Sequence, residues 1–347
     1  MRQFSLSANI EEGFASEAKY IVTPNARQVA EGIANGFRSG VHSYTIIGSY
    51  GTGKSSFLLA LERDLMGSKQ YELLNPSELS EKKKFEVLKI VGDYKELSFL
   101  LSQKLSVDGT TDSILDELKT KYNKLKSQGK FLVIFIDEFG KVLEHAAKNN
   151  PERELYFMQK LAEFVNVPSR NILLLTTLHQ NFNAYSRKLN EVQKEEWTKV
   201  KGRFQELVFV EPIEQLLYLA STQIDAGRIM QNEDSVIDSL ASLAKKTGFV
   251  SQNFSKETAQ ALAPLEPFAA YVITQAIQRY GQNERSLFSF LNARGRNSLS
   301  EYEGKIYQLQ CCYDYIYYNF YSYLKEANAD SMQWSSMQVA IERVEGQ

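Results

Sequence analysis

Cysteine is nearly absent: the 347 residues hold two, and these are neighbours, Cys311 and Cys312. Adjacent cysteines on a helix point in different directions, so the pair excludes a disulfide-stapled fold and reads as two buried, reduced thiols. Histidine is sparse as well. His42, His145 and His179 lie far apart, and no Cys/His spacing suits zinc. No excess of one charge sign exists either: the formal net charge is −2, which excludes a globally basic nucleic-acid binder while leaving a local basic face open. No run reaches the ~18 apolar residues that a membrane span needs. The opening "MRQFSLSANIEEGFASEAKY" has no apolar stretch of signal-peptide length and carries acidic residues. The expectation is a cytoplasmic protein with no membrane association. Repeats, low-complexity tracts and flexible linkers are missing too. What the chain does have is 43% hydrophobic content, enough to bury the core of one large or two modest domains.

The order of patterns predicts the architecture. "YIVTPNARQVAEGIANGFRSG" (20–40) reads as a short strand or turn and then a helix, with Ile33 and Phe37 at helical spacing. "HSYTIIG" is a short β-branched run, and Lys54–Leu65 carries Phe57, Leu58, Ala60 and Leu61 at helical spacing. The polar stretch 67–84 reads as a loop, with Lys82, Lys83 and Lys84 in a solvated turn. "FEVLKIV" (85–91) is a strand. "DSILDELKTKYNKLKSQG" is a helix that Asp112 can cap and Gly129 ends. "KFLVIFIDEFG" (130–140) is the continuous apolar run of a strand buried on both faces. A helix at "PERELYFMQKLAEFVN" and buried strands at "NILLLTTLHQ" and "ELVFVEP" (206–212) follow. Strands alternating with helices predict a parallel α/β sheet. Beyond Pro212 only helices are predicted. The expected domains are 1–212, α/β, and 213–347, helical.

One segment carries chemistry on its own. Gly48-Ser49-Tyr50-Gly51-Thr52-Gly53-Lys54-Ser55 fits the spacing G-x-x-x-x-G-K-[ST] between a strand and a helix. Glycines let backbone N–H groups turn toward phosphate oxygens, and the following helix aims its positive end at them. Lys54 then reaches the β- and γ-phosphates, Ser55 coordinates Mg²⁺, and Ser56 completes the nucleotide-binding stretch. A plain Gly-rich turn does not account for Lys-Ser at those two positions. "VIFIDE" supplies the second part, with Asp137 holding Mg²⁺ directly or through water and Glu138 polarising an attacking water. Acidic residues at a strand end can also simply meet solvent. "LLLTTLHQN" places Thr176, Thr177, His179 and Gln180 where a γ-phosphate would be sensed. Of these, Thr177, His179 or Gln180 could contact water or phosphate.

These parts in this order resemble AAA+ ATPases, including the origin-recognition-type initiators. "KVKGRFQELVFVEP" looks like the segment before the fifth core strand of that family, which implies that Arg203 contacts a neighbouring subunit's nucleotide. "GQNERSLFSFL" looks like the lid helix, which implies that Arg285 is a second sensor. The resemblance therefore implies a P-loop NTPase of AAA+/RecA-like build with a C-terminal all-α lid domain, ATP as nucleotide and Mg²⁺ as cofactor. "SYGTGKSSF", "IDEFGKVLEHAA", "MQKLAEF", "LHQNFNAYSRKL", "EEWTKVKGRF" and "QNERSLFSFL" together are similar to large ATPases of bacterial phage-defence islands, relatives of the BREX-type ATPases. That similarity implies a homo-oligomer or an effector protein as partner, and leaves DNA association open. The chain departs from that group in length, with no winged-helix or nuclease domain visible in it.

Two weaker signals remain. Residues 181–204 carry Arg187, Lys188, Lys194, Lys199, Lys201 and Arg203, which read either as a polynucleotide- or subunit-facing insertion or, more simply, as a solvated helical face. Trp197 among them is expected to pack. In "YDYIYYNFYSYL" (313–324), Cys312, Ile316, Phe320 and Tyr323 suit one buried stripe. Tyr315, Tyr318 and Tyr321 then fall near other faces, where a partner chain could dock.

Overall fold

The structure, a computed structural model, describes residues 9–13, 20–68, 70–79, 84–149, 151–187, 189–222, 224, 234–280, 287–292, 296–325 and 330–345. The chain divides into two compact units, Met1–Val210 and Glu211–Gln347. The division falls just ahead of residue 212 because Phe209 is buried in the first unit, its ring 5.3 Å from that of Phe57. Glu211 belongs to the second, its carbonyl accepting from the Gln278 amide at 3.1 Å.

The first unit runs α1 (Pro24–Arg38), β1 (Ser43–Ile47), α2 (Lys54–Leu65), β2 (Phe85–Val91), α3 (Leu97–Leu105), α4 (Thr111–Ser127), β3 (Phe131–Asp137), α5 (Phe139–Lys148), α6 (Pro151–Val165), β4 (Ile172–Leu178), α7 (Glu191–Lys201) and β5 (Gln205–Val208). Its five strands form one parallel sheet in the order β2-β3-β4-β1-β5. Side chains alternate across a strand, and β3 shows what that does here. Leu132, Ile134 and Ile136 face a core shared with α3–α7, whereas Phe131, Val133 and Phe135 face a core shared with α1 and α2. Both faces are covered, so the central strands β3 and β4 are buried at every position. This is the parallel α/β fold that the alternation and the Gly-rich loop predict.

Two local expectations need correction. The strand near 206–212 is a four-residue edge strand, paired with β1 alone and partly exposed, because it has a neighbour on one side only. The stretch after α2 is a loop, as expected, and its apolar residues pack: Tyr71, Leu73, Leu74 and Leu79 are buried against α2's side of the sheet, and Asp64 accepts the Leu73 N–H at 2.6 Å. Helix α4 is capped by Thr110, which receives the Ser113 N–H, and Asp112 lies in its first turn. Lys82 and Lys83 lie outside the described residues.

The second unit is helical: α8 (Ile213–Ser221), α9 (Asp234–Lys246), α10 (Lys256–Ala261), α11 (Pro267–Tyr280), α12 (Leu287–Asn292), α13 (Leu309–Lys325) and α14 (Ser331–Glu345). Helix α13 buries Cys312, Tyr315, Ile316, Phe320 and Leu324. Tyr315 thus belongs to the buried stripe, one turn from Cys312, with its ring 4.8 Å from that of Phe290. The Tyr323 side chain lies outside the described residues. Tyr318 and Tyr321 are exposed. Cys312 is buried but Cys311 only half so, since the stripe takes one of two neighbours. No described helix is long and apolar enough to cross a membrane.

Candidate nucleotide site

In a parallel sheet all carboxyl ends open on one edge, and ligands of such sheets bind there. At this edge the loop 48–53 leaves β1, Asp137 ends β3, His179 follows β4 and Gly92 follows β2. Strand β4 lies between β1 and β3. It therefore delivers Thr177 and His179 between the loop and the two carboxylates.

The loop's conformation explains its glycines. Gly51 and Gly53 have φ of +73° and +92°, a region that side chains with a Cβ avoid. Gly48 meets a different need: a Cβ there would stand 2.1 Å from the Phe209 carbonyl oxygen. Gly53 is the residue before α2 and makes no side-chain cap, so the first N–H groups of that helix are left for another acceptor. The Thr52 hydroxyl donates back to the Ser49 carbonyl at 2.9 Å. Ser55 and Ser56 occupy the first turn of α2, half-buried.

Lys54 is 5% exposed. Its ammonium donates to the Gly48 and Ser49 carbonyls at 2.5 and 2.8 Å and stands 3.4 Å from His179 Nδ1. Burial lowers its pKa to about 8, against the opposite pull of Asp137 and Glu138. A cation kept dry on its own loop's carbonyls is placed to exchange them for phosphate oxygens.

Across β4, Asp137 is buried and accepts the Thr177 hydroxyl at 2.6 Å. The same hydroxyl receives the Glu138 N–H at 3.0 Å. Thr177 therefore fixes both carboxylate residues from below, while Thr176 turns to Thr45 and the Tyr44 carbonyl. Gly92 holds the turn from the other side: its N–H donates to the Asp137 carbonyl at 2.7 Å, and a Cβ on it would lie 2.4 Å from the Glu138 carbonyl oxygen.

Glu138 has a φ of +55° and carries its carboxylate to Lys141 Nζ at 3.1 Å and His179 Nε2 at 3.5 Å. The His179 contact and then the Lys141 ammonium hold its pKa at about 2, although burial works the other way. Burial also lowers the His179 pKa, more than Glu138 raises it. The imidazole is thus neutral near pH 7, and Lys141 is the full positive charge beside Glu138. The Tyr50 ring stacks on His179, with centroids 3.3 Å apart and planes at 19°. Tyr185 packs its hydroxyl where a Cβ on Gly140 would be, and burial pushes its pKa up to about 12.

The structure brings Lys54, Asp137, Glu138, Thr177, His179 and Tyr50 into one network. Gln180 is exposed next to it. Arg203 lies elsewhere: it precedes β5, at the amino-terminal edge of the sheet, and its guanidinium pairs with Glu163 at 2.8 Å. Its carbonyl accepts from Asn166, which also receives the N–H of His42 ahead of β1. Arg203 therefore does not reach its own chain's phosphate loop. Arg285 falls outside the described residues. Lys141, Gly92 and Tyr185 escaped the sequence reading. Lys141 was findable as the cation three residues after Glu138 on a helix, and Gly92 as a glycine closing a strand.

Metal fit follows from the donors. Asp137 offers a carboxylate with one oxygen taken by Thr177, and Ser55 offers a hydroxyl. All-oxygen donors suit a hard cation such as Mg²⁺, which keeps waters and takes one or two carboxylates plus substrate phosphates. Among the described residues no group of three or more His, Cys, Asp or Glu could hold a metal by itself.

The chain matches no protein-family model and no curated protein. Solved structures resemble it at low identity. One is the Aeropyrum pernix ORC2 protein in ADPNP–ADP complexes, at 15% identity and a TM-score of 0.41 over 73% of this chain and 70% of that one. Another is Caenorhabditis elegans PCH-2, at 14% and 0.40 over 88% and 70%. A third is domain III of the Thermotoga maritima replication initiation protein DnaA, at 15% and 0.32 over 70% and 93%.

Proposed function

We propose that the chain binds ATP with Mg²⁺ and hydrolyses it to ADP and phosphate. The observation that carries this reading is a single network, from the phosphate loop's Lys54 through His179 to Glu138, beside the Thr177-bound Asp137. Lys54 leaves the Gly48 and Ser49 carbonyls for the β- and γ-phosphates. Ser55 and Asp137 would hold Mg²⁺, whose charge would offset that of the phosphate oxygens. Glu138 orients a water and accepts its proton as the water oxygen bonds to the γ-phosphorus. The bond from that phosphorus to the bridging oxygen breaks, and ADP leaves.

The energy drives conformational change or assembly of a partner complex, and the motif resemblance supports bacterial antiphage defence as the setting. A homo-oligomer or an effector is the partner, with Arg203 reaching a neighbouring copy's nucleotide. A second reading, a slow nucleotide-gated switch, draws support from one observation: Lys141 and His179 both occupy the Glu138 carboxylate. A DNA motor has less behind it. Lys194, Lys199, Lys201 and Arg203 each pair with a glutamate, as a solvated helical face does.

The test is steady-state ATP hydrolysis with and without double-stranded DNA, with Glu138→Gln as control. The expected result is magnesium-dependent turnover that falls roughly 10²–10⁴-fold in the variant, with ATP binding kept. Turnover indifferent to DNA selects the switch, and strong stimulation selects the motor. Turnover unchanged in Glu138→Gln would overturn the assignment.

A further inference from the structure

The stack of Tyr50 on His179 adds a ring contact between two parts of the site already joined by the Gly48 N–H, which donates to the Leu178 carbonyl at 3.0 Å, and by Lys54 beside His179 Nδ1. Tyr50 belongs to the phosphate loop. His179 belongs to the end of β4. The ring's two nitrogens face different partners: Nδ1 lies 3.4 Å from the Lys54 ammonium and Nε2 lies 3.5 Å from Glu138 Oε2. An ammonium has only protons to offer. The nitrogen facing it must therefore present its lone pair, which puts the imidazole proton on Nε2, on the carboxylate's side of the ring, 3.5 Å from Oε2 but short of hydrogen-bond geometry. That arrangement holds only while the ring keeps its plane. The contact that fixes the plane is the Tyr50 face, 3.3 Å away and nearly parallel.

We propose that Tyr50 is a positioning residue: by stacking on His179 it orients the Nε2–H toward Glu138, and so couples the state of the phosphate loop to the carboxylate that activates water. The inference rests on the ATPase reading above. The loop, its lysine, the imidazole and Glu138 form one chain of contacts. When phosphates draw Lys54 away, the Nδ1 lone pair is released, but the stack keeps the ring in place and Nε2 stays on Glu138. The loop can then move only with the ring, and the ring only with the carboxylate. An aromatic side chain is needed at 50 for its flat face; the phenol oxygen takes no part.

The experiment uses the full chain with ¹⁵N-labelled histidine, whose three residues give few resonances. Without nucleotide, wild-type His179 is expected in the Nε2–H tautomer and Tyr50→Leu as a mixture, with Tyr50→Phe restoring the wild-type form. In hydrolysis, Tyr50→Leu is expected to lower kcat about tenfold while KM for ATP changes less than about threefold, because loop and Lys54 still bind. Tyr50→Phe recovers kcat. Tyr50→Leu combined with His179→Ala is expected to be no slower than His179→Ala alone, the non-additivity of residues acting through one another. An unchanged tautomer in Tyr50→Leu, or effects of the two substitutions that multiply, overturns the proposal. A wild-type protein without turnover would defeat the ATPase reading, and the tautomer of His179 would still decide the role of Tyr50.

Discussion

At the scale of single residues, Lys54 sets a pH dependence. Burial brings its pKa to about 8, so the ammonium is lost as pH rises through that value. Bound phosphates favour the charged form and raise the pKa again. ATP binding therefore takes up protons above about pH 8, and affinity falls between pH 7 and 9.5. Calorimetry at pH 8.5 in two buffers of different ionisation enthalpy measures the uptake, and equal heats in both would contradict it. Lys54→Ala removes the charge-assisted contacts and should weaken ATP binding roughly 10²-fold. Thr177 was one of several polar candidates in the sequence, alongside His179 and Gln180. Only the structure separates them, because its distinguishing property is a bond to Asp137, 40 positions away in the chain.

At the scale of elements, α3 shows how a helix start can be invisible in sequence. Glu96 precedes it and makes no side-chain cap. The cap comes from α6: the buried Glu154 carboxylate accepts the Leu97 N–H at 2.7 Å and the Ser98 hydroxyl at 2.6 Å. Glu154→Ala leaves those buried donors without an acceptor and should cost about 2–4 kcal/mol of stability, measured by urea unfolding. A change under about 0.5 kcal/mol would mean that water replaces the carboxylate. The same logic explains what else was legible. Strands β3 and β4 announce themselves because both faces are buried and each opens on an unbroken apolar run, as far as Asp137 in β3 and Thr176 in β4. Strand β5 reads like them, yet its edge position depends on which strand stands beside it, and that is not written in "ELVFVEP". The loop 48–53 is legible because phosphate binding by backbone demands glycine at fixed places. The Tyr50 stack is not, since any residue fits that position of the motif.

At the scale of the whole molecule, the first unit holds the entire described network of Lys54, Asp137, Glu138, Thr177 and His179, and Phe209 completes its core. A fragment ending at Val210 should therefore fold cooperatively and bind ATP. Circular dichroism melting and fluorescent-nucleotide titration check this, and an unfolded fragment would show that the helical unit is required for the first to fold. The net stability of any such chain is a small difference between large terms, which gives the backbone at Glu138 a wider meaning. Left-handed φ costs an ordinary L residue about 1–2 kcal/mol, and Asn tolerates it better than Glu. The carboxylate proposed to activate water thus sits at a position that stability alone would fill differently. Glu138→Asn should be inactive and yet up to about 1 kcal/mol more resistant to urea than the wild type; a less resistant variant would show that the Lys141 contact outweighs the relief. On the proposed role of Glu138, activity and robustness pull apart at this one residue, and selection for stability alone would erase the activity.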